Sequence, residues 1–208
     1  MTNLKKLCKE FDINVRGIIQ IGAHRGQEVG QFLELDPERI LLIEAFPELA
    51  LHLVDIFPRM RHLIKIANCA ITNYNGKVKF NVLSNDMSSS ILPLKKHAEI
   101  YPHIVKTGEI EIPCMRLDSL LKKMEEKFCN YNLLSIDVQG AEGLVFEGAM
   151  EVLKHIEVIQ VEVNYDELYE GCILEPELTK LLRNNELEKK AEQMYHPLWG
   201  DAFYVRSK

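Results

Sequence analysis

Short, wholly apolar runs alternate along the chain with stretches that are apolar on one face only. Gly17 to Ala23 (Gly-Ile-Ile-Gln-Ile-Gly-Ala) is β-branched and apolar on both sides, as expected of a strand buried between helices. Val29, Phe32 and Leu33 then fall at i, i+3 and i+4, one face of a helix that Asp36-Pro37 stops. Arg39 to Ala45 is a second apolar strand, and Pro47 opens a helix whose buried stripe is Leu49, Leu53 and Ile56, up to Pro58. His62 to Ile71 supplies a third strand. Asn75-Gly76 ahead of alternating Val78, Phe80 and Val82 predicts a hairpin-like excursion. The polar stretch Ser84 to Lys106, with Ser88-Ser89-Ser90 and two prolines, reads as a surface segment able to cover a site, so 84–108 is assigned as a lid or substrate-side piece.

Asp118 is placed to cap a helix with Leu121, Met124 and Phe128 on its buried face. Leu133 to Val138 is a fourth strand, and Gly140 to His155 a single helix carrying Leu144, Val145, Gly148 and Val152 on one side. Ile156 to Val163 is a fifth strand. A helix from about Glu175 to Glu186 precedes two last strands, Glu188 to Tyr195 and Ala202 to Arg206. This alternation predicts an α/β fold with a parallel sheet and right-handed crossovers, ending in a hairpin. No internal repeat or linker interrupts it, so 1–208 is read as one domain with 1–16 as a helical lead-in.

Composition narrows the picture. With 208 residues, 47% hydrophobic and 27% charged, the chain matches an ordinary globular domain rather than a disordered or disulfide-scaffold protein. Its 25 basic and 31 acidic residues give a net charge of −6, which disfavours non-specific nucleic-acid binding. No run approaches the ~20 apolar residues of a membrane span. Cys8, Cys69, Cys114, Cys129 and Cys172 are an odd number without a CxxC pair, and the first twelve residues lack a secretory core. These features read as reduced thiols in a cytoplasmic protein.

Ligands of open α/β sheets bind outside the carboxyl ends of the strands. Those ends offer Gly22-Ala23-His24-Arg25-Gly26, then Glu44, Asn68 to Ala70, Asp137-Val138-Gln139-Gly140 and Glu162 to Asn164. The glycines allow a sharp turn, and Glu44, 22 positions beyond Gly22, is placed to accept from two ribose hydroxyls. His24 stands where a dinucleotide fingerprint has its second glycine, which opposes pyrophosphate and favours a phosphate-free nucleoside such as S-adenosylmethionine. For methyl transfer to an oxygen, Asp137, Glu142, Glu162 and His24 are candidate bases. Asp137 reads equally well as a helix N-cap. Asp137 and Glu162 end adjacent strands and could suggest a metal, but no HExxH-type spacing supports one, and none is expected. Trp199 and Cys69 read as packing residues, His97 and His196 as surface residues.

Taken in order, the strand-end segments resemble the FkbM family of S-adenosylmethionine-dependent methyltransferases, from about Gly17 to Arg206. The resemblance is carried by Ile-Gly-Ala-His-Arg-Gly-Gln-Glu (21 to 28), Asn-Gly-Lys-Val-Lys-Phe and Ser-Ser-Ser-Ile-Leu. Arg-Leu-Asp-Ser-Leu-Leu (116 to 121), Ile-Asp-Val-Gln-Gly-Ala-Glu (136 to 142) with Gly148-Ala149, and Gly-Asp-Ala-Phe-Tyr-Val-Arg (200 to 206) complete it. It implies a Rossmann-like class I methyltransferase sheet of seven strands, mostly parallel with the last antiparallel, and helices on both faces. It also implies O-methylation of a sugar, glycan or polyketide-type hydroxyl, with a small-molecule or glycan acceptor. By position, Gly22, Ala23, His24 and Gly26 would hold the donor's methionine end, Glu44 its ribose, and Asn68, Cys69 and Ala70 would border adenine. Asp137 would face the transfer site, while Ser88, Ser89, Gln139, Glu142 and Glu162 would line the acceptor side. Two positions depart from the family's pattern: Gln20 replaces an acidic residue that helps hold the donor's charged end, and Gln139 replaces a frequent glutamate. Two other readings stand beside this one: a nicotinamide-dependent oxidoreductase, and a nucleoside-binding module that has lost catalysis.

Overall fold

A computed structural model describes residues 4–207. Residues 1–3 of the expected lead-in lie outside the described residues, and α1 (Leu4–Glu10) follows them. A seven-stranded sheet is built from β1 (Gly17–Ile21), β2 (Arg39–Glu44), β3 (Ile64–Asn68), β7 (Leu133–Ile136), β8 (Val158–Asn164), β9 (Leu187–His196) and β10 (Trp199–Arg206). The strand order is β3-β2-β1-β7-β8-β10-β9. β1, β2, β3, β7 and β8 pair in parallel. β10 runs antiparallel to both β8 and β9, so the chain's last strand alone opposes the others, as the family resemblance implies. Chain order reverses between β1 and β7, and ligands of such sheets bind at that switch point.

Helices cover both faces because the strands are apolar on both. Ile19, Ile21, Leu134, Ile136 and Val161 pack with α5 (Leu117–Lys123), α6 (Glu142–Glu147), α7 (Met150–Leu153) and α8 (Glu175–Arg183). Ile18, Ile40, Leu42, Leu133 and Val158 pack on the other side with α1, α2 (Val29–Leu33) and α3 (Pro47–Ile56). Ile18, Ile19, Leu133 and Leu134 have no exposed surface. Each such side chain contributes about 1.5–3 kcal/mol of transfer free energy, which the open edges of a two-sided polar strand would forgo.

Five sequence expectations are corrected. The third strand does not run on to Ile71: the chain leaves the sheet after Asn68, and β4 (Ala70–Ile71) joins a second, three-stranded sheet. Asn75-Gly76 does not close a local hairpin, because β5 (Gly76–Leu83) pairs antiparallel with the distant β6 (Lys106–Met115), a strand the sequence reading missed. The helix expected over 140–155 is broken into α6 and α7 at Gly148. A Cβ there would lie 2.1 Å from the carbonyl oxygen of Thr72, so the passing backbone requires glycine and interrupts the helix. Asp118 does not cap its own helix, whose cap is Arg116. Its carboxylate instead accepts from the backbone N–H groups of Glu151 and Val152, capping the start of α7 across 33 residues of chain. His97, expected at the surface, is buried on α4 (Lys96–Ile100) between the rings of Tyr101 and Tyr169.

Candidate functional site

The carboxyl ends of β1, β2 and β7 open into a cleft of about 800 Å³, its open mouth included. Gly22, His24, Glu44, Cys69, Ala70, Ser89, Asp137 and Gln139 line it. The remaining candidates, Gly26, Ala23, Asn68, Ser88, Glu142 and Glu162, are not among the residues that line it. The lining also includes Glu28, Phe46, Phe80, Asp86 and Met87, none of which the sequence reading singled out as a site residue.

The first loop is shaped by backbone conformation. Gly22 adopts φ +84°, and a Cβ on it would lie 1.8 Å from the Asp137 carbonyl oxygen, where β1 and β7 diverge. His24 is also left-handed, at φ +47°, which costs a residue with a side chain of order 1 kcal/mol or more. The Glu44 carboxylate stabilises that turn: Oε2 accepts from His24 N at 2.7 Å and Oε1 from Phe46 N at 2.8 Å. Burial pushes the Glu44 carboxyl up, and these backbone donors oppose the shift. Each carboxylate oxygen keeps a further acceptor position toward the cleft. Asn68 ties the same corner by donating to the carbonyls of Glu44 and Ala45. Phe46 and Phe80 are stacked with centroids 6.0 Å apart, and Cys69, Ala70 and Ile71 complete that wall.

Above the loop, a single 3₁₀ turn at Asp86–Ser88 leans over the cleft. Arg25 and Asp86 make two hydrogen bonds, at 2.6 and 3.3 Å, and His24 Nε2 lies 3.2 Å from Asp86 Oδ1. Gln27 Nε2 lies 2.8 Å from His24 Nδ1, and Arg25 Nη1 lies 3.0 Å from His24 Nε2. The serines hold this segment in place. Ser89 Oγ accepts from Leu83 N, and Ser90 Oγ donates to the Gln139 carbonyl at 2.7 Å. Tyr169 Oη has one proton to give and two acceptors in reach, the Ser88 carbonyl at 3.1 Å and Gln139 Oε1 at 2.8 Å.

Carboxyl groups crowd the opposite end. Asp137 accepts from Gln139 Nε2 at 2.6 Å and does not cap α6, whose cap is Ala141. Protein encloses its carboxyl except at the cleft, where the residue is exposed. That enclosure pushes it up to about 6, the Gln139 hydrogen bond opposes the rise, and the charges of Asp201 and Glu28 add to it. Glu142 is buried, and its Oε1 accepts from Val138 N and Gly140 N. Burial and Asp137 raise it to about 7. Glu162 is also buried and is raised well above the ordinary carboxylate range by burial and by Asp137, Glu142 and Asp201. The three carboxyls raise one another, so their titrations are coupled. Among the described residues, no three His, Cys, Asp or Glu side chains form a group that could hold a metal ion.

Gln20 lies beneath the loop, 3% exposed, and donates from Nε2 to Glu28 Oε2 at 2.9 Å. A carboxylate from α2's N-cap position therefore stands beside the neutral amide on β1. Neither the apolar period nor the strand-end rule singles out Glu28; the available signal was its place at the end of the 21–28 segment that carries the family resemblance.

Comparisons with known proteins agree with this architecture. A 2-O-methyltransferase, NoeI, from Sinorhizobium fredii is 29% identical over 178 residues, covering 82% of this chain and 72% of that protein. The crystal structure of an FkbM methyltransferase from Methylobacillus flagellatus aligns with a TM-score of 0.60 at 13% identity. That match covers 92% of this chain but only 44% of the other, so the chain spans less than half its length. A protein of the NADB-Rossmann superfamily from Streptococcus agalactiae aligns over the whole chain and 68% of its own, with a TM-score of 0.55 at 10% identity. At such identities the structural matches speak for the fold. The family profile described as the methyltransferase FkbM domain matches residues 20–191, and the chain belongs to that family.

Proposed function

We propose that the protein transfers a methyl group from S-adenosylmethionine to a hydroxyl of a sugar, glycan or polyketide-type metabolite. The observation that carries this reading is the charge of the cleft: Glu28, Glu44, Asp86 and Asp137 line it, with no lysine or arginine among the lining residues. Its one basic lining residue, His24, faces Asp86. Such a site suits a cationic, phosphate-free donor and repels the pyrophosphate of a dinucleotide. All five cysteines are free thiols, which suits a reducing cytosol.

In this reading Glu44 accepts from the ribose hydroxyls, and Phe46, Cys69, Ala70 and Ile71 flank the adenine. Gly22 to Gly26 and Glu28 surround the methionine end. S-adenosylmethionine supplies a methyl on a sulfonium that leaves as a neutral sulfide, so the protein's work is alignment and proton removal. Asp137, ionised above about pH 6 and exposed to the cleft, takes the acceptor hydroxyl's proton as the new O–C bond forms. Gln139 holds that carboxylate in place, and Glu142 holds the turn that carries it.

A thermal-shift series with S-adenosylmethionine, S-adenosylhomocysteine and NAD(H) tests the donor. At a hundredfold excess over Kd, ligand linkage contributes about 2.7 kcal/mol, a rise of roughly 5–10 °C for a chain of this size. Shifts with both sulfur nucleosides and none with NAD(H) are expected. A shift with NAD(H) alone would overturn the reading in favour of an oxidoreductase.

A further inference from the structure

Tyr169 lies between β8 and α8 and is 1% exposed. Its stretch of chain is bound to the covering segment by backbone groups. Lys95 N and His97 N donate to the Leu168 carbonyl at 2.9 and 3.1 Å, Lys96 N to the Glu167 carbonyl at 3.2 Å, and Glu170 N to the Pro93 carbonyl at 2.8 Å. The ring is packed by two further elements. A Cβ on Gly140 would lie 2.7 Å from the Tyr169 Cβ, so the turn after β7 rests directly on this residue. The His97 ring of α4 has its centroid 5.4 Å from that of Tyr169. None of these contacts uses the phenolic hydroxyl, so phenylalanine would keep them all.

The hydroxyl instead reaches the site. Gln139 is held left-handed, at φ +55°, and its amide bridges Tyr169 and the carboxyl groups. Oε1 faces the tyrosine hydroxyl, while Nε2 lies 2.6 Å from Asp137 Oδ1 and 3.4 Å from Glu162 Oε2. An amide presents an acceptor at one end and donors at the other, so a donor fixed on its oxygen side decides that the N–H groups meet the carboxyls. Burial and the charges of Glu162, Asp137 and Glu142 hold the Tyr169 hydroxyl well above its ordinary range, so it remains a donor near neutral pH. Its other acceptor, the Ser88 carbonyl, belongs to the turn that leans over the cleft.

We propose that Tyr169 is a positioning residue for the transfer step: its hydroxyl holds the Gln139 amide with Nε2 on Asp137 and, through Ser88, ties the covering turn to the same point. The proposal rests on the methyl-transfer reading, in which Asp137 is the base. Burial raises the Asp137 carboxyl, Asp201 and Glu28 add to the rise, and the Gln139 hydrogen bond and His24 oppose it. Glu142 and Glu162 titrate in coupling with it. Releasing the amide takes away one opposing group and leaves the other neighbours in place. Loss of the Tyr169 hydroxyl therefore raises Asp137 further, although the two side chains do not touch.

That consequence is readable without any acceptor, by carbon-13 NMR titration of protein labelled at its aspartate side-chain carboxyls. The Asp137 signal is the one missing from Asp137→Asn. In Tyr169→Phe its midpoint should move up by about half a pH unit or more. Gln139→Ala should move it at least as far, and the double variant no further than Gln139→Ala alone, because both residues act through one hydrogen bond. An unmoved midpoint in Tyr169→Phe, or additive shifts in the double variant, would overturn the proposal, reduce the hydroxyl to a fastening for Ser88 and leave methyl transfer standing. The expected shifts in protein that binds neither S-adenosylmethionine nor S-adenosylhomocysteine would keep the link from Tyr169 to Asp137 and overturn the methyl-transfer reading.

Discussion

Asp137 and Glu142 sit five positions apart, and their environments divide the work between them. Asp137 faces the cleft with a carboxyl pushed up to about 6, which places a base near neutral pH. Asp137→Asn should lower kcat by roughly 10²–10⁴-fold while donor affinity, read by calorimetry, stays within a few-fold. The base form predominates above its pKa, so wild-type kcat/KM should climb as pH rises through about 6 and then level. A variant that turns over normally would remove Asp137 from that role. Glu142 is wholly buried and raised to about 7. A carboxyl raised in the folded state binds more protons there than in the unfolded chain, so its contribution to stability is present below its ordinary value and lost as pH climbs toward 7. Glu142→Gln keeps an acceptor for Val138 N and Gly140 N and removes that loss. It should stabilise the protein at pH 8 by on the order of 1–3 kcal/mol and flatten the melting profile between pH 5 and 8, as a pH series of thermal melts would show. Gly22, Glu44 and Asp137 were legible in sequence because strand ends announce themselves by apolar runs that stop. Glu28 and Asp86 were not, since each joins the cleft through a contact distant in sequence or hidden by helical geometry.

At the scale of elements, the main sheet was readable and the small one was not. The inner parallel strands β1, β2, β7 and β8 are buried on both faces, a pattern with few alternative explanations. β6 alternates instead, Lys106 to Met115 having exposed and buried positions in turn, and its partner β5 lies over twenty residues earlier. That pairing depends on what the intervening 84–105 segment does, which no local pattern states. The same segment depends on the first loop for its position. Asp86 meets Arg25 and His24, and Ser90 meets Gln139, so the covering turn is fastened to both sides of the cleft. Exposed ion pairs contribute little to global stability, but they select the local arrangement. Asp86→Ala should leave the melting temperature nearly unchanged, speed amide exchange across residues 84–91, and weaken S-adenosylmethionine binding a few-fold. Unchanged exchange in that segment would show that the serine and Tyr169 contacts alone hold it.

For the whole molecule the governing quantity is charge. The chain carries −6, and of the four carboxylates that line the cleft Asp86 is offset by Arg25, while Glu28, Glu44 and Asp137 have no lysine or arginine beside them in the lining. Under the proposed reaction the donor enters with one more positive charge than the product leaves with, since the sulfonium becomes a sulfide. The fixed negative field therefore favours the donor over the product, which helps the spent molecule depart. One unit charge about 4 Å from another is worth about 1 kcal/mol in bulk water and about 4 kcal/mol at an effective dielectric constant of 20. Even the lower figure is several-fold in affinity. Screening shortens the field from roughly 30 Å at 0.01 M salt to roughly 3 Å at 1 M. Calorimetry across that range should show S-adenosylmethionine binding weakening with salt while S-adenosylhomocysteine binding changes little. Glu28→Gln removes a lining carboxylate from the methionine end without changing side-chain size, and Gln20 remains able to meet the new amide. It should narrow the gap between the two affinities by weakening S-adenosylmethionine alone. Equal salt slopes for the two nucleosides, or equal losses in the variant, would mean that shape rather than charge separates donor from product in this cleft.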